Sequence, residues 1–173
     1  MRFAAVLSAL AWLGLAFGAP LVNVVSNRWH SRKRPAVVGL ILQACAVALF
    51  IYGPSNGPGA SAVVMFAVGL LAGTHMLGFT IAGESVTPNL IGSSAAIVNG
   101  VCFIVGGILE AVPGRLLPAE NPNLSDYQGA LWIMPAVLVP GALCALGIGE
   151  RPHVQPIVDA EPSAPPHPQN VVT

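Results

Sequence analysis

The sequence predicts an all-α, polytopic membrane helix bundle with about five transmembrane helices. Three observations predict it. The 173 residues are 54% hydrophobic and 8% charged, where soluble domains carry about 25% charged residues, so a soluble fold would lack the charges to cover its surface. The apolar residues are gathered into five runs, each close to the ~20 residues that cross a ~30 Å hydrocarbon core at ~1.5 Å per residue. Between the first two runs, residues 26–35 hold Arg28, Arg32, Lys33 and Arg34, four of the seven Lys and Arg in the chain.

The first span is expected at 3–25, with Gly14, Gly18 and Pro20 inside it. Its apolar run continues past Ala19 through Val25, long enough to span, so a membrane helix is expected ahead of the alternative, a secretory leader cleaved near Ala19. The second span is placed at 35–52. Pro35 suits a first helical turn, where its missing N–H costs nothing, and Gln43 is the polar residue in mid-span. The uncharged Gly, Pro, Ser and Asn run at 53–59 separates it from the third span, 60–83. There Gly69 and Gly73 make a GxxxG, a spacing that lets two helix backbones approach closely in lipid.

Glu84 and Pro88 are assigned to the next short loop. The fourth span, 91–112, is rich in small residues that suit helix packing, including Gly92, Gly100, Gly106 and Gly107. A polar loop at 113–128 leads to the fifth span, 129–148, where Pro135 and Pro140 introduce kinks. Residues 1–149 thus form the transmembrane bundle. Residues 150–173 contain six prolines and read as a disordered tail.

Charge fixes the orientation. Lys and Arg near helix ends resist translocation. With the 26–35 loop inside, Arg28, Arg32, Lys33, Arg34 and Arg151 are cytoplasmic, while Arg2 and Arg115 are outside. The expected location is the inner or plasma membrane, multi-pass, with the C-terminus in the cytoplasm. The lipid bilayer is then the first partner. One short basic cluster is a topology signal rather than a nucleic-acid surface.

Several residues are candidates for chemistry. His75 lies a few residues from the midplane of the third span, and ionisable groups at that depth face a cavity or a partner. It is a candidate for a solute or proton path, or else a neutral His bonded to a neighbouring helix. Asn99 and Gln43 are candidates for the same path, with interhelical hydrogen bonding as the alternative. Glu110 is expected at the outer interface. Cys45, Cys102 and Cys144 are scattered through apolar runs without CxxC spacing, so neither disulfide nor metal is implied. No GxSxG, HExxH or Walker-type loop is present. The sequence therefore reads as a non-enzyme without a cofactor.

The stretch Gly18-Ala19-Pro20 … Ser26-Asn27-Arg28-Trp29-His30-Ser31-Arg32-Lys33-Arg34 resembles the G-x-P…S-D-R-x-x-x-R-K/R pattern of the major facilitator superfamily of secondary transporters. That pattern lies between the second and third helices and again between the eighth and ninth. Residues 84–92 look like the loop entering the family's eleventh helix, and Asn99-Gly100 with Gly106-Gly107 fit its small-residue run. The resemblance covers residues 10–150 and places the five spans as helices eight to twelve, so the chain resembles a truncated C-terminal half. It implies alternating-access transport of a small solute, with proton coupling as one option, against a missing N-terminal half.

It also implies a cytoplasmic gate motif at Gly18, Pro20, Asn27, Arg28, Arg32 and Lys33, braced by Glu84 pairing with Arg28 or Arg32. Asn27 departs from the family's Asp and brings no charge, which puts the family's gate lock in doubt here. The rival expectation is a small membrane scaffold that self-associates through Gly69 and Gly73 or through the glycines of the fourth span.

Overall fold

A computed structural model describes residues 2–54, 57–118 and 120–149. The 150–173 tail lies outside the described residues. Among the described residues, seven α-helices follow in order: α1 (Arg2–Arg28), α2 (Lys33–Tyr52), α3 (Gly57–Ala72), α4 (Met76–Glu84), α5 (Ile91–Leu116), α6 (Leu124–Leu131) and α7 (Ile133–Leu146). Short 3-10 turns at Gly73–His75 and Pro88–Leu90 join α3 to α4 and lead into α5. The helices combine into five elements long and apolar enough to cross a membrane: Arg2–Arg28, Lys33–Tyr52, Gly57–Glu84, Pro88–Leu116 and Leu124–Leu146. The fold is all-α, as expected.

The helix ends differ from the expected spans, for local reasons. The third span includes Glu84 as the last residue of α4 instead of leaving it in a loop. The fourth span runs through Pro113, which is buried inside α5. A proline one turn from a C-terminus removes a single backbone bond, here to the Leu109 carbonyl, and the helix continues for one more turn. The fifth span begins at Leu124, earlier than expected, because Asn123 and Asp126 form a capping box. The Asp126 N–H donates to Asn123 Oδ1 at 3.1 Å, and the Asn123 N–H donates to Asp126 Oδ2 at 2.9 Å. These bonds satisfy two orphan donors of the first turn. The same span breaks at Trp132. Pro135 has no N–H to offer the Leu131 carbonyl, and regular bonding resumes with Ala136 N–H to Trp132 C=O at 3.2 Å.

The closest packing is between α1 and α3. A Cβ added at Gly14 would overlap the Phe66 carbonyl, and one at Gly18 the Leu70 carbonyl. A Cβ at Gly69 would overlap the Ala11 carbonyl, and one at Gly73 the backbone of Gly18. Two GxxxG stripes therefore face each other, Gly14/Gly18 against Gly69/Gly73. Backbone dispersion substitutes here for the hydrophobic drive that lipid removes. Gly39 of α2 makes the same kind of approach to the Thr74 side chain.

A small core of Ala36, Leu77 and Ala145 lies where α2, α4 and α7 meet, with Val22 and Ile81 against it. Leu77 is 0% exposed. Most other large apolar side chains face outward, among them Trp12, Phe17, Val63 and Phe103, as lipid-facing helices require.

The fourth span is different. It touches α4, and α6 and α7 more weakly, and no residue of its apolar stretch is fully buried among the described residues. Gly92, Gly100, Gly106 and Gly107 have open space where a Cβ would stand. Among the described residues, these glycines face away from the other helices, while Ser94, Ala95 and Val98 are the half-buried positions in the first part of α5.

Opposite the basic loop, α2 and α6 are clasped. Tyr52 Oη donates to the Gln128 carbonyl at 3.1 Å, and Gln128 Nε2 donates to the Ile51 carbonyl at 2.9 Å. The second bond satisfies one of the carbonyls left open at the end of α2. Tyr52→Phe is expected to lower the thermal midpoint in detergent by the equivalent of about 0.5–1.5 kcal/mol, and Gln128→Ala by at least as much. An unchanged midpoint in both variants would show that the clasp contributes nothing.

Candidate functional site: a clasp at the basic end

The turn between α1 and α2 is built by backbone bonds. The His30 N–H donates to the Asn27 carbonyl at 3.2 Å, and the Ser31 N–H reaches back to the Ser26 carbonyl at 3.3 Å. This pair is a Schellman cap. Its left-handed position, normally glycine, is His30 with φ of 50°. Ser26 and Ser31 are buried by the turn, at 1% and 7% exposure. The Ser26 hydroxyl donates to the Ser31 carbonyl at 2.9 Å, and the Ser31 hydroxyl accepts from the Arg34 N–H at 3.2 Å.

Arg32 sits at the centre of this turn and reaches two ways. Its Nη2 donates to Glu84 Oε1 at 2.7 Å, and its Nε lies 3.2 Å and 3.4 Å from the two carboxylate oxygens. Its Nη1 donates to Ser26 Oγ at 2.9 Å and to Asn27 Oδ1 at 2.7 Å. One planar guanidinium thus ties the end of α1 and the start of α2 to the end of α4. A lysine has neither the fork nor the second reach. The Arg32 side chain is 17% exposed and that of Glu84 46%, so the pair is partly shielded from water.

Of the two partners expected for Glu84, Arg32 is the one in contact, while Arg28 is exposed. Asn27 accepts from the same Arg32, so an uncharged residue holds the loop arginine by a hydrogen bond while Glu84 supplies the charge. Lys33 begins α2. Gly18 lies in the α1–α3 crossing. Pro20 lies inside α1 without ending it, two residues past Gly18 and away from the clasp.

The mid-span candidates lie elsewhere. His75 is exposed, and its Nδ1 contacts the Ala72 carbonyl of its own helix rather than a neighbouring one. Asn99 is exposed on α5, and among the described residues no interhelical hydrogen bond involves it. Gln43 is half-buried on α2. Glu110 is exposed near the far end of α5. The three cysteines are free and exposed.

His75 and Asn99 do share a feature. His75 is nine residues from Glu84 and Asn99 eleven from Pro88, which places them about 14 Å and 17 Å from the basic end. They stand at similar depth on spans that pack together through α4 and α5, and both are exposed among the described residues.

Sequence reading missed Ser26, Ser31 and His30, because their roles depend on the turn's backbone. It also missed the part Gly14 plays, although the four-residue spacing to Gly18 was visible.

Five apolar helices long enough to span define the chain as an all-α, multi-pass membrane protein. No family model, no curated protein and no solved structure matches it.

Proposed function

We propose that the chain moves a small solute across the membrane by alternating access, with this five-span unit working against a second helical bundle. The observation that carries this reading is the pair of uncovered polar groups, His75 and Asn99, at similar depth on neighbouring spans. Polar side chains at mid-bilayer depth face a cavity or a partner, and a site shared between two bundles near the midplane is how rocking transporters are built. The Arg32 clasp supports the same reading. It joins separate helices at one end through exchangeable polar contacts, which can part and re-form as bundles rock. The transporter resemblance of the 18–34 stretch agrees. The proposal assigns no covalent chemistry to the chain.

The test is thiol accessibility. In a variant with Cys45, Cys102 and Cys144 changed to serine, Asn99→Cys is expected to react with a membrane-impermeant maleimide added from either face. Reaction with a permeant maleimide alone would place Asn99 against lipid or protein and overturn the water-path reading.

A second reading is an oligomeric membrane scaffold without transport, favoured by the uncovered glycines of α5. Backbone of α1 lies against Gly69 and Gly73, which turns this reading toward the α5 glycines. A stable dimer lost on Gly100→Leu, with Asn99→Cys closed to impermeant reagent, would decide for the scaffold.

A further inference from the structure

Beside the clasp, on its other flank, a groove of 490 Å³ opens between the start of α2 and the end of α7, lined by Trp29, Lys33, Arg34, Val37, Val38 and Leu146. Its chemistry is graded. Two cations and an indole stand at the rim of the membrane-spanning region, and three aliphatic side chains continue from them along the helices. Neither cation has a carboxylate among the described residues. Glu84 is taken by Arg32, and Glu110, Glu120 and Asp126 belong to the opposite end of the bundle, where α5 finishes and α6 begins. Arg34 and Trp29 are exposed, and a tryptophan at this level is typical of the headgroup region.

We propose that this groove binds the headgroup of an anionic phospholipid. Lys33 and Arg34 hold the phosphate, Trp29 lies at the level of the glycerol, and Val37, Val38 and Leu146 receive the upper acyl chain. The shared chemistry with free phosphate is the pair of cations. The aliphatic floor is what favours the lipid, since inorganic phosphate has no use for it. Basic pockets between helix ends are suited to anionic headgroups by charge and by position. The groove does not depend on the transport reading, because it uses neither His75 nor Asn99.

The experiment uses the full chain in nanodiscs, with Trp12 and Trp132 changed to phenylalanine so that Trp29 reports alone. Brominated phosphatidylglycerol is expected to quench Trp29 at about tenfold lower mole fraction than brominated phosphatidylcholine. Unbrominated phosphatidylglycerol should relieve that quenching, a measurement that needs no change in the groove. The double variant Lys33→Gln/Arg34→Gln should remove the preference and leave quenching by phosphatidylcholine in place. Equal quenching by the two lipids would overturn the proposal. So would relief of quenching by inorganic phosphate as effective as relief by phosphatidylglycerol, which would make this a phosphate site.

Discussion

Gly18→Leu is expected to dismantle the bundle, while Gly100→Leu leaves it intact. Both glycines lie in apolar helices of similar length, and sequence alone gives no reason to separate them. The structure separates them sharply. A Cβ at Gly18 would overlap the carbonyl of Leu70, whereas nothing lies within 4 Å of a Cβ at Gly100. The obstacle at Gly18 is backbone inside a helix, so no rotamer change relieves it. The two helices must separate, and the matching contacts at Gly14, Gly69 and Gly73 loosen with them.

Overpacking a tight core costs about 1–3 kcal/mol and occasionally more, and a clash with backbone lies at the upper end. Against a total stability of about 5–15 kcal/mol, one such substitution is a large share. Purified in detergent, Gly18→Leu should lose most of its monodisperse fraction, or show a thermal midpoint many degrees below that of the parent. Gly18→Ala should fall between. Gly100→Leu should stay within about 0.5 kcal/mol of the parent, as substitutions without neighbours do. A Gly18→Leu variant as stable as the parent would mean that α1 and α3 do not cross at these glycines.

That contrast marks the boundary of what the sequence made legible. The five spans follow from run length and composition, which are properties of single segments. The GxxxG at Gly69 and Gly73 was also visible, but its partner was not. Gly14 and Gly18 carry the same spacing on α1, two helices earlier in the chain, and the chain holds many other small residues in its apolar runs. For the fourth span, the same small-residue pattern predicts helix packing, and among the described residues nothing stands within 4 Å of a Cβ at Gly92, Gly100, Gly106 or Gly107. A small residue permits close approach without saying which surface approaches. The start of the fifth span was misplaced for another reason. Polarity alone assigns Asn123 and Asp126 to the loop, whereas their three-residue spacing is that of a capping box and starts the helix.

The clasp was half legible. Opposite charges on the same side of the membrane predicted a pair for Glu84, and the choice fell between Arg28 and Arg32. Helix α1 ends in a cap that turns at His30, and this leaves Arg28 on the outer surface while carrying Arg32 beneath the turn. The decision is made by the backbone conformation of a histidine, and no charge-pattern rule contains it.

Arg32→Ala is the second large effect expected. The substitution removes every side-chain contact of the clasp at once: two anchors on α1 and its turn, Ser26 and Asn27, and the carboxylate of Glu84 on α4. Hydrogen bonds to a charged donor contribute about 1.5–3 kcal/mol, and the exposed half of the Glu84 carboxylate discounts its share. A net loss of about 2 kcal/mol in thermal or denaturant stability follows. Glu84→Gln should cost less, because Arg32 keeps Ser26 and Asn27 and an amide oxygen still accepts. Arg32→Lys should recover only part of the loss, since one ammonium cannot serve both sides of the turn.

The charge swap is the sharpest arm. Arg32→Glu combined with Glu84→Arg restores opposite charges across the gap but leaves Ser26 and Asn27 facing a carboxylate. If the ion pair alone mattered, the swap would rescue either single variant. If the guanidinium acts as a three-way tie, the swap stays as unstable as Arg32→Ala, and the coupling in an Arg32/Glu84 double-mutant cycle accounts for less than half of the Arg32→Ala effect. Parental stability in Arg32→Ala would remove the clasp from the energetics of the bundle, and with it the reason to regard this end as a gate.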